Sequence, residues 1–186
     1  MKKQLNKDTL IEFFKTYWFF LITVLLVVVD QVTKVLFQSY LKGVPNQSVE
    51  IIPNLFSWRL VYNDGAAWSM FSGNRIFLSG ISIVASIGII FAIFYYLKKS
   101  RFLVIILSII LAGAIGNGID RIFKNGLVID FIDFNFFLPF NSRFPIFNFA
   151  DICVSVGGFL LVCYVIYVDI KETRDKKKNI KADNHE

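Results

Sequence analysis

Three stretches of this chain run for 17 residues or more without a charge. Ile76–Leu97 gives 22 such residues, Phe102–Ile119 gives 18 and Ile152–Val168 gives 17. An apolar helix needs roughly 17–25 residues to cross the hydrocarbon of a bilayer, and all three fall in that range. A fourth block, Thr16–Val29, is shorter but continues through Asp30-Gln31-Val32-Thr33-Lys34 into Val35-Leu36-Phe37. It reads as one helix with a polar turn close to its far end. The pattern therefore predicts a membrane all-α protein, a bundle of four transmembrane helices at about 16–37, 76–97, 102–119 and 152–168. Lysines precede the first block as they would in a secretory leader. No small-residue cleavage site of Ala-x-Ala type follows, however, and the helix carries on past Asp30, so the block is read as a retained span.

Between the spans the period changes. Phe56, Trp58, Leu60 and Tyr62 alternate with other residues, the period-two signature of a half-buried strand. Ser48–Ile52 is a plausible partner, turned by Pro53-Asn54. This predicts a small β-rich loop domain on the outer side, within outer loops at about 39–74 and 120–150. Ile129–Phe134 is too short to assign, and the aromatic stretch Phe134–Phe149 follows it.

Composition and charge turn this pattern into a topology. Of 186 residues 55% are hydrophobic, 21 of them phenylalanine, and mean hydropathy is +0.58. Thirteen of the 20 basic residues gather in the N-terminal segment, the turn Lys98–Arg101 and the C-terminal tail. The positive-inside rule makes that side, with both termini, cytoplasmic. The expected organisation is a cytoplasmic segment 1–15, a single integral-membrane domain 16–170 and a lysine-rich cytoplasmic tail 171–186. The net charge of +6 then mostly reflects topology. The tail lacks the interleaved aromatics of a nucleic-acid site, so no nucleic-acid partner is expected and attraction to membrane lipid is the better reading. Cys153 and Cys163 lie ten apart on one apolar helix, about 15 Å along its axis, too far to bridge each other. The lone histidine, His185, is in the tail. Neither a zinc site nor a Cys–His nucleophile is expected, which leaves carboxylates as the candidates for chemistry.

Ionisable residues at the edge of a span carry a functional hypothesis when a partner can be named. Asp30 and Lys34 are four apart with the acid first, the favourable order for an ion pair on one helical face. They either seat the helix end or free Lys34 to reach a headgroup or substrate. Asn63-Asp64-Gly65 is turn chemistry, and Ala66-Ala67 after it leaves room for a close backbone. Gly113-Ala114-Ile115-Gly116 suits close helix packing in lipid. Beyond it, Asn117 lies one turn before Asp120 on the same face, and Arg121 most simply neutralises Asp120. Asp130 sits among Val128-Ile129 and Phe131-Ile132, so burial would raise its pKa. Asp133 is of the same type, and periodicity does not separate the two. Asn148-Phe149-Ala150-Asp151 reads as a helix N-cap with an acid in the first turn. By topology Asp120, Asp130 and Asp151 all fall on the outer side.

These stretches together resemble the lipoprotein signal peptidase family, also called signal peptidase II. The matching pieces in order are Asp30-Gln31-Val32-Thr33-Lys34, Asn63-Asp64-Gly65-Ala66-Ala67-Trp68-Ser69, Gly113 to Arg121, Val128-Ile129-Asp130-Phe131-Ile132 and Phe147-Asn148-Phe149-Ala150-Asp151. The resemblance implies a polytopic aspartyl endopeptidase of the bacterial cytoplasmic membrane, working at its outer face. Such an enzyme removes signal peptides from diacylglyceryl-modified prolipoproteins, cutting just before the lipidated cysteine. It implies no cofactor and no metal, and sensitivity to the cyclic peptide globomycin; a monomer is expected. The catalytic pair would be Asp130 and Asp151. Asp30, Lys34, Asn63, Gly65, Asn117, Asp120, Arg121 and Asn148 would line or brace the site. Asp64 stands where threonine is common, Trp68 where phenylalanine is common, and Ala112 where glycine is frequent.

Physical chemistry is compatible with such a pair. Two close carboxylates do not both ionise cheaply, so they tend to share one proton. The dipole of the last helix would hold Asp151 ionised, and apolar surroundings would keep Asp130 protonated. Two other classes remain open on the residues alone. A small transporter or proton-conducting protein predicts acids near the midplane of the spans. A non-catalytic membrane assembly protein predicts that Asp130 and Asp151 are dispensable.

Overall fold

The computed structural model describes the backbone of residues 7–65, 73–135, 137–138 and 142–183, and the side chains of 17–65, 73–135 and 144–177. The chain runs α1 (Lys7–Lys42), β1 (Ser48–Ile52), β2 (Phe56–Asn63), α2 (Arg75–Tyr96), α3 (Arg101–Phe123), β3 (Val128–Phe134), a short hairpin of β4 (Phe137–Leu138) and β5 (Ser142–Arg143), and α4 (Phe149–Asp183). Among the described residues, four helices are long and apolar enough to cross a membrane, over Tyr17–Lys42, Arg75–Tyr96, Arg101–Phe123 and Phe149–Lys177. This is a multi-pass membrane protein. The segment Ala66–Ser69 and His185 lie outside the described residues.

α1 and α3 run through charged residues that are held by partners within the fold. Asp30 and Lys34 stay within α1, and Asp120, Arg121 and Lys124 sit in or beside the last turn of α3. Left-handed Asn125 (φ 53°) and Gly126 (φ 82°) end α3, where the Gly126 amide donates back to the Arg121 carbonyl at 2.9 Å. That is a Schellman termination with Asn125 as its left-handed residue, and Gly126 takes the following positive φ without strain. A Cβ at Gly126 would also collide with the Arg75 side chain.

α3 is the central helix and packs against α1, α2 and α4. The other three turn much of their apolar surface outward: Phe91 is 71% and Phe159 68% exposed. Such faces are stable because lipid tails, not water, solvate them. Helices then approach through small residues. A Cβ at Gly113 would strike the Ala150 carbonyl and Val154, one at Gly116 would come within 2.5 Å of Asp30 Oδ2, and one at Gly157 within 2.5 Å of Ile110.

The buried side of α1 carries Phe19, Thr23, Asp30, Lys34 and Leu41, spaced as one stripe of a helix that packs on a neighbour. Its lower end joins an apolar cluster with Ile93, Leu103, Val104, Leu107 and Leu111. Its upper end joins a second with Leu60, Ile129 and Phe131. Phe37 stacks on Phe131 at 4.4 Å between centroids and contacts Trp58 at 4.4 Å. The polar residues of α1 lie between two dry clusters.

β1, β2 and β3 form an antiparallel sheet in that order. The hairpin between α1 and α2 forms as its sequence suggests, with Asn54 (φ 59°) in the connection. The unassigned segment near Ile129 becomes β3 by pairing with β2. One detail departs from simple alternation. Trp58 faces Ile132 but Val61 faces Asp130, so β2 has one extra residue at Arg59-Leu60. Such a bulge reverses the alternation beyond it. Tyr62, expected inward, is 39% exposed, and Asn63 moves to the face of Asp130.

The close approach of α3 and α4 gives the first prediction. Gly113→Ala forces the two backbones apart and should lower the thermal transition in detergent, by roughly 1–3 kcal/mol of overpacking. Gly158→Ala, where an added Cβ meets nothing within 4 Å, should leave it unchanged or raise it.

Candidate active site

At the centre lies a lysine with no exposed surface. Lys34 Nζ is 2.9 Å from Asp30 Oδ2, 3.1 Å from Asp120 Oδ2, and donates to Asn117 Oδ1 at 2.9 Å. A buried ammonium is tolerable only when its charge and its donors are all matched. Here three partners use its three N–H groups. Asp120 Oδ1 also receives Lys124 at 2.6 Å, and Asp120 Oδ2 accepts the Ile129 amide at 3.1 Å, which ties the start of β3 to the end of α3. Asp30 Oδ1 accepts the Ala150 amide at 2.9 Å, which ties α1 to the first turn of α4. One ion cluster thus joins three helices and a strand.

The first turn of α4 is a capping box. Asn148 Oδ1 accepts the Asp151 amide at 3.0 Å, while Asp151 Oδ2 accepts the Asn148 amide at 3.0 Å. Each of the pair satisfies a helix-end donor that would otherwise be orphaned. Just upstream, Phe147 pairs with Ile132 of β3, its carbonyl accepting amides from Phe131 and Ile132 at 3.1 and 2.9 Å. That pairing lays the start of α4 across β3, beside Asp130.

Asn148 is the connector that results. Its Nδ2 reaches Asp130 Oδ1 at 2.6 Å, Asn117 Oδ1 at 3.1 Å and the Ile129 carbonyl at 3.2 Å. Asn117 Nδ2 in turn donates to Asp151 Oδ1 at 2.7 Å. Asp130 Oδ2 accepts Asn63 Nδ2 at 2.9 Å, and Asn63 Oδ1 holds the Gly65 amide at 2.9 Å in a local turn. Asp130 and Asp151, 21 residues apart in sequence, are therefore joined through Asn148 and Asn117. Asp130 is buried and Asp151 only partly so.

One expectation needs correction and two open alternatives are resolved. Arg121 does not neutralise Asp120. The two side chains diverge on the helix, and Arg121 donates instead to the Gly65 carbonyl at 3.2 Å and to the Ser82 hydroxyl at 3.3 Å. It clamps the Asn63–Gly65 turn to α2, while lysines neutralise Asp120. Lys34 does not reach out to a headgroup, because its three partners enclose it. Asp133 faces away from Asp130, on the side of Ile129 and Phe131, with Arg59 Nη1 4.0 Å away. Strand parity separates the two acids: Asp130 and Asp133 are an odd number of residues apart.

With this constellation in place, comparison with known proteins is decisive. The family model for signal peptidase (SPase) II matches residues 22–167. The chain belongs to the signal peptidase II family. It is accordingly a peptidase, not a transporter. A lipoprotein signal peptidase of Listeria monocytogenes serotype 4a is 39% identical over 161 residues, covering 86% of this chain and 99% of that protein. One of Staphylococcus aureus is 36% identical over 158 residues, covering 85% and 91%. A solved bacterial membrane enzyme superposes with a TM-score of 0.64 at 35% identity, covering 80% of this chain and 87% of the other.

Several contributors escape a reading of residues alone. Gln31 Nε2 links Asp30 Oδ2 and the Gly116 carbonyl, both at 3.0 Å. Lys124 is the second cation on Asp120, and its i,i+4 spacing from that acid is a signal that could have found it. The Ala150 amide and the Phe147 bridge are backbone groups, with no signature in residue type.

Burial, and then the charge of Asp151, push the Asp130 carboxyl up to about 7. An unfolded aspartate loses its proton near pH 4, so across roughly pH 4–7 the folded chain holds a proton that the unfolded chain has released. This group therefore destabilises the native state increasingly as pH rises through that window. The carbonyl-stretch band lost in Asp130→Asn should titrate with a midpoint near pH 7 in infrared difference spectra. Full ionisation by pH 5 would contradict the assignment. Lys34→Met, which strands Asp30 without its buried cation, should cost about 3–5 kcal/mol in thermal unfolding in detergent. Arg59→Met, which removes a 44% exposed guanidinium 4.0 Å from buried Asp133, should cost less than Lys34→Met.

Proposed function

We propose that this chain removes signal peptides from diacylglyceryl-modified prolipoproteins, hydrolysing the peptide bond just before the lipidated cysteine. The observation that carries the mechanism is the linkage of Asp130 and Asp151 through Asn148 and Asn117, with the Asp130 carboxyl raised to about 7 by its burial first and by the charge of Asp151 second. The naming of relatives as lipoprotein signal peptidases supports the substrate class.

In this reading Asp130 keeps the proton and Asp151 is ionised, accepting the Asn148 amide and the Asn117 side chain. Asp151 takes a proton from water as its oxygen attacks the scissile carbonyl carbon, and Asp130 hydrogen-bonds the carbonyl oxygen. The resulting tetrahedral intermediate breaks at the C–N bond, and the proton gained by Asp151 passes to the leaving amine of the cysteine. Asn148, Asn117 and Asn63 hold the two carboxyls in register. Asp30, Lys34, Asp120 and Gly65 brace the elements that carry them, and Arg121 secures the turn above.

The site would face the outer side of the bacterial cytoplasmic membrane, with both termini inside, in accord with the basic residues at the opposite end of the bundle. A substrate cysteine could then lie at the interface while its acyl chains stay in the bilayer. Function as a monomer, and organisation as a single membrane domain 16–170 flanked by segments 1–15 and 171–186, belong to the same proposal.

A diacylglyceryl-modified prolipoprotein incubated with the purified enzyme should shift on a gel to the cleaved form. Asp130→Asn and Asp151→Asn should each slow cleavage by about 10²–10⁴-fold or more while remaining monodisperse. Full cleavage by either variant would remove it from the catalytic pair, and an intact substrate with wild type would overturn the substrate class.

A further inference from the structure

At the end of the bundle opposite the carboxylates, a cavity of about 380 Å³ opens between α1 and the α2–α3 turn. Trp18, Leu97 to Arg101 and Val104 line it. At about 30 Å³ per water this is room for roughly a dozen molecules, enough for a polar headgroup. Its floor is apolar, with Val104 buried and Trp18 half-buried. Its mouth is cationic. Lys98, Lys99 and Arg101 are exposed, and among the described residues none of the three has a carboxylate within ion-pairing distance. Lys99 rests over the Tyr95 ring at 3.4 Å, which keeps its charge at the rim. Ser100 caps α3, accepting the Leu103 amide at 3.2 Å and the Tyr164 hydroxyl at 3.0 Å, so the turn is held by α4 as well.

We propose that this cavity is a headgroup site for an anionic phospholipid of the leaflet on that side. The three unpaired cations would surround the phosphodiester, and Trp18, Leu97 and Val104 would receive the glycerol backbone. The surrounding surface fits a lipid better than a soluble anion. Phe94, Tyr95 and Phe102 are exposed beside the mouth, where acyl chains would cover them, and basic pockets between membrane helices are suited to phospholipid headgroups. The site is remote from the peptidase centre and independent of its chemistry. Only the naming of the leaflet as cytoplasmic rests on the orientation proposed above.

Native mass spectrometry of the full chain in a neutral detergent tests this directly, with phosphatidylglycerol titrated against phosphatidylcholine. Wild type should hold one phosphatidylglycerol at least tenfold more tightly than phosphatidylcholine. The triple variant Lys98→Gln/Lys99→Gln/Arg101→Gln should lose that preference, and so should Leu97→Trp, which narrows the cavity but keeps its charges. The tail variant Lys171→Gln/Arg174→Gln/Lys177→Gln should retain it. Persistence of the preference in either cavity variant, or its loss in the tail variant alone, would overturn the proposal. So would displacement of the bound lipid by equimolar sn-glycerol 3-phosphate, which would identify a soluble phosphate as the ligand.

Discussion

A fully buried lysine between two buried aspartates is the constraint on which this structure turns. In a membrane protein the apolar faces of the helices gain little from meeting each other, because lipid solvates them equally well. Specific association must come from close packing and from polar groups that have no alternative partner. Lys34 demands Asp30 on its own helix and Asp120 and Asn117 on α3. The same acids then hold the Ala150 and Ile129 amides. The glycines at 113 and 116 let α3 come close enough for this to happen. Without the charge cluster, α1, α3 and α4 lose their most tightly matched polar contacts and keep weaker ones such as Thr23 to the Ser108 carbonyl and Gln31 to the Gly116 carbonyl.

That scaffold carries a small platform at the end where the carboxylates gather. The sheet is drawn from the α1–α2 and α3–α4 connections, and its edge captures Phe147 just before α4 begins. Asn148 is then simultaneously a helix cap and the link between Asp130 and Asn117. The choice between cap and site residue is therefore not exclusive at this helix end. A cap has to be fixed in space to satisfy its own helix, and that fixity holds the neighbouring carboxyls in register.

Much of this is legible along the chain, and the failures have physical causes. Uncharged runs locate four helices but stop them early, because a run of residues does not reveal that Asp120 has two lysines waiting. The hairpin at Ser48–Asn63 follows from aromatic alternation. The bulge that turns Tyr62 out and Asn63 toward Asp130 does not, since it arises from pairing with a strand 67 residues away. The i,i+4 spacing of Asp30 and Lys34 carries their ion pair plainly. The direction of Arg121 does not follow from adjacency to Asp120, because neighbouring residues on a helix point about 100° apart. The gathering of Asn63, Asp130, Asn148 and Asp151 rests on tertiary contacts, and in the sequence it is visible only through a family resemblance.

The proposed chemistry requires two carboxyls that together hold one proton. The dependence of kcat/KM on pH, measured on a diacylglyceryl-modified substrate in mixed micelles, tests that requirement most directly. With Asp130 held near 7, the rate should stay level just below that pH and fall about tenfold for each further unit above it, as the dyad loses the proton it shares. A rate that holds steady to pH 9 would contradict a protonated carboxyl as the group that polarises the scissile carbonyl.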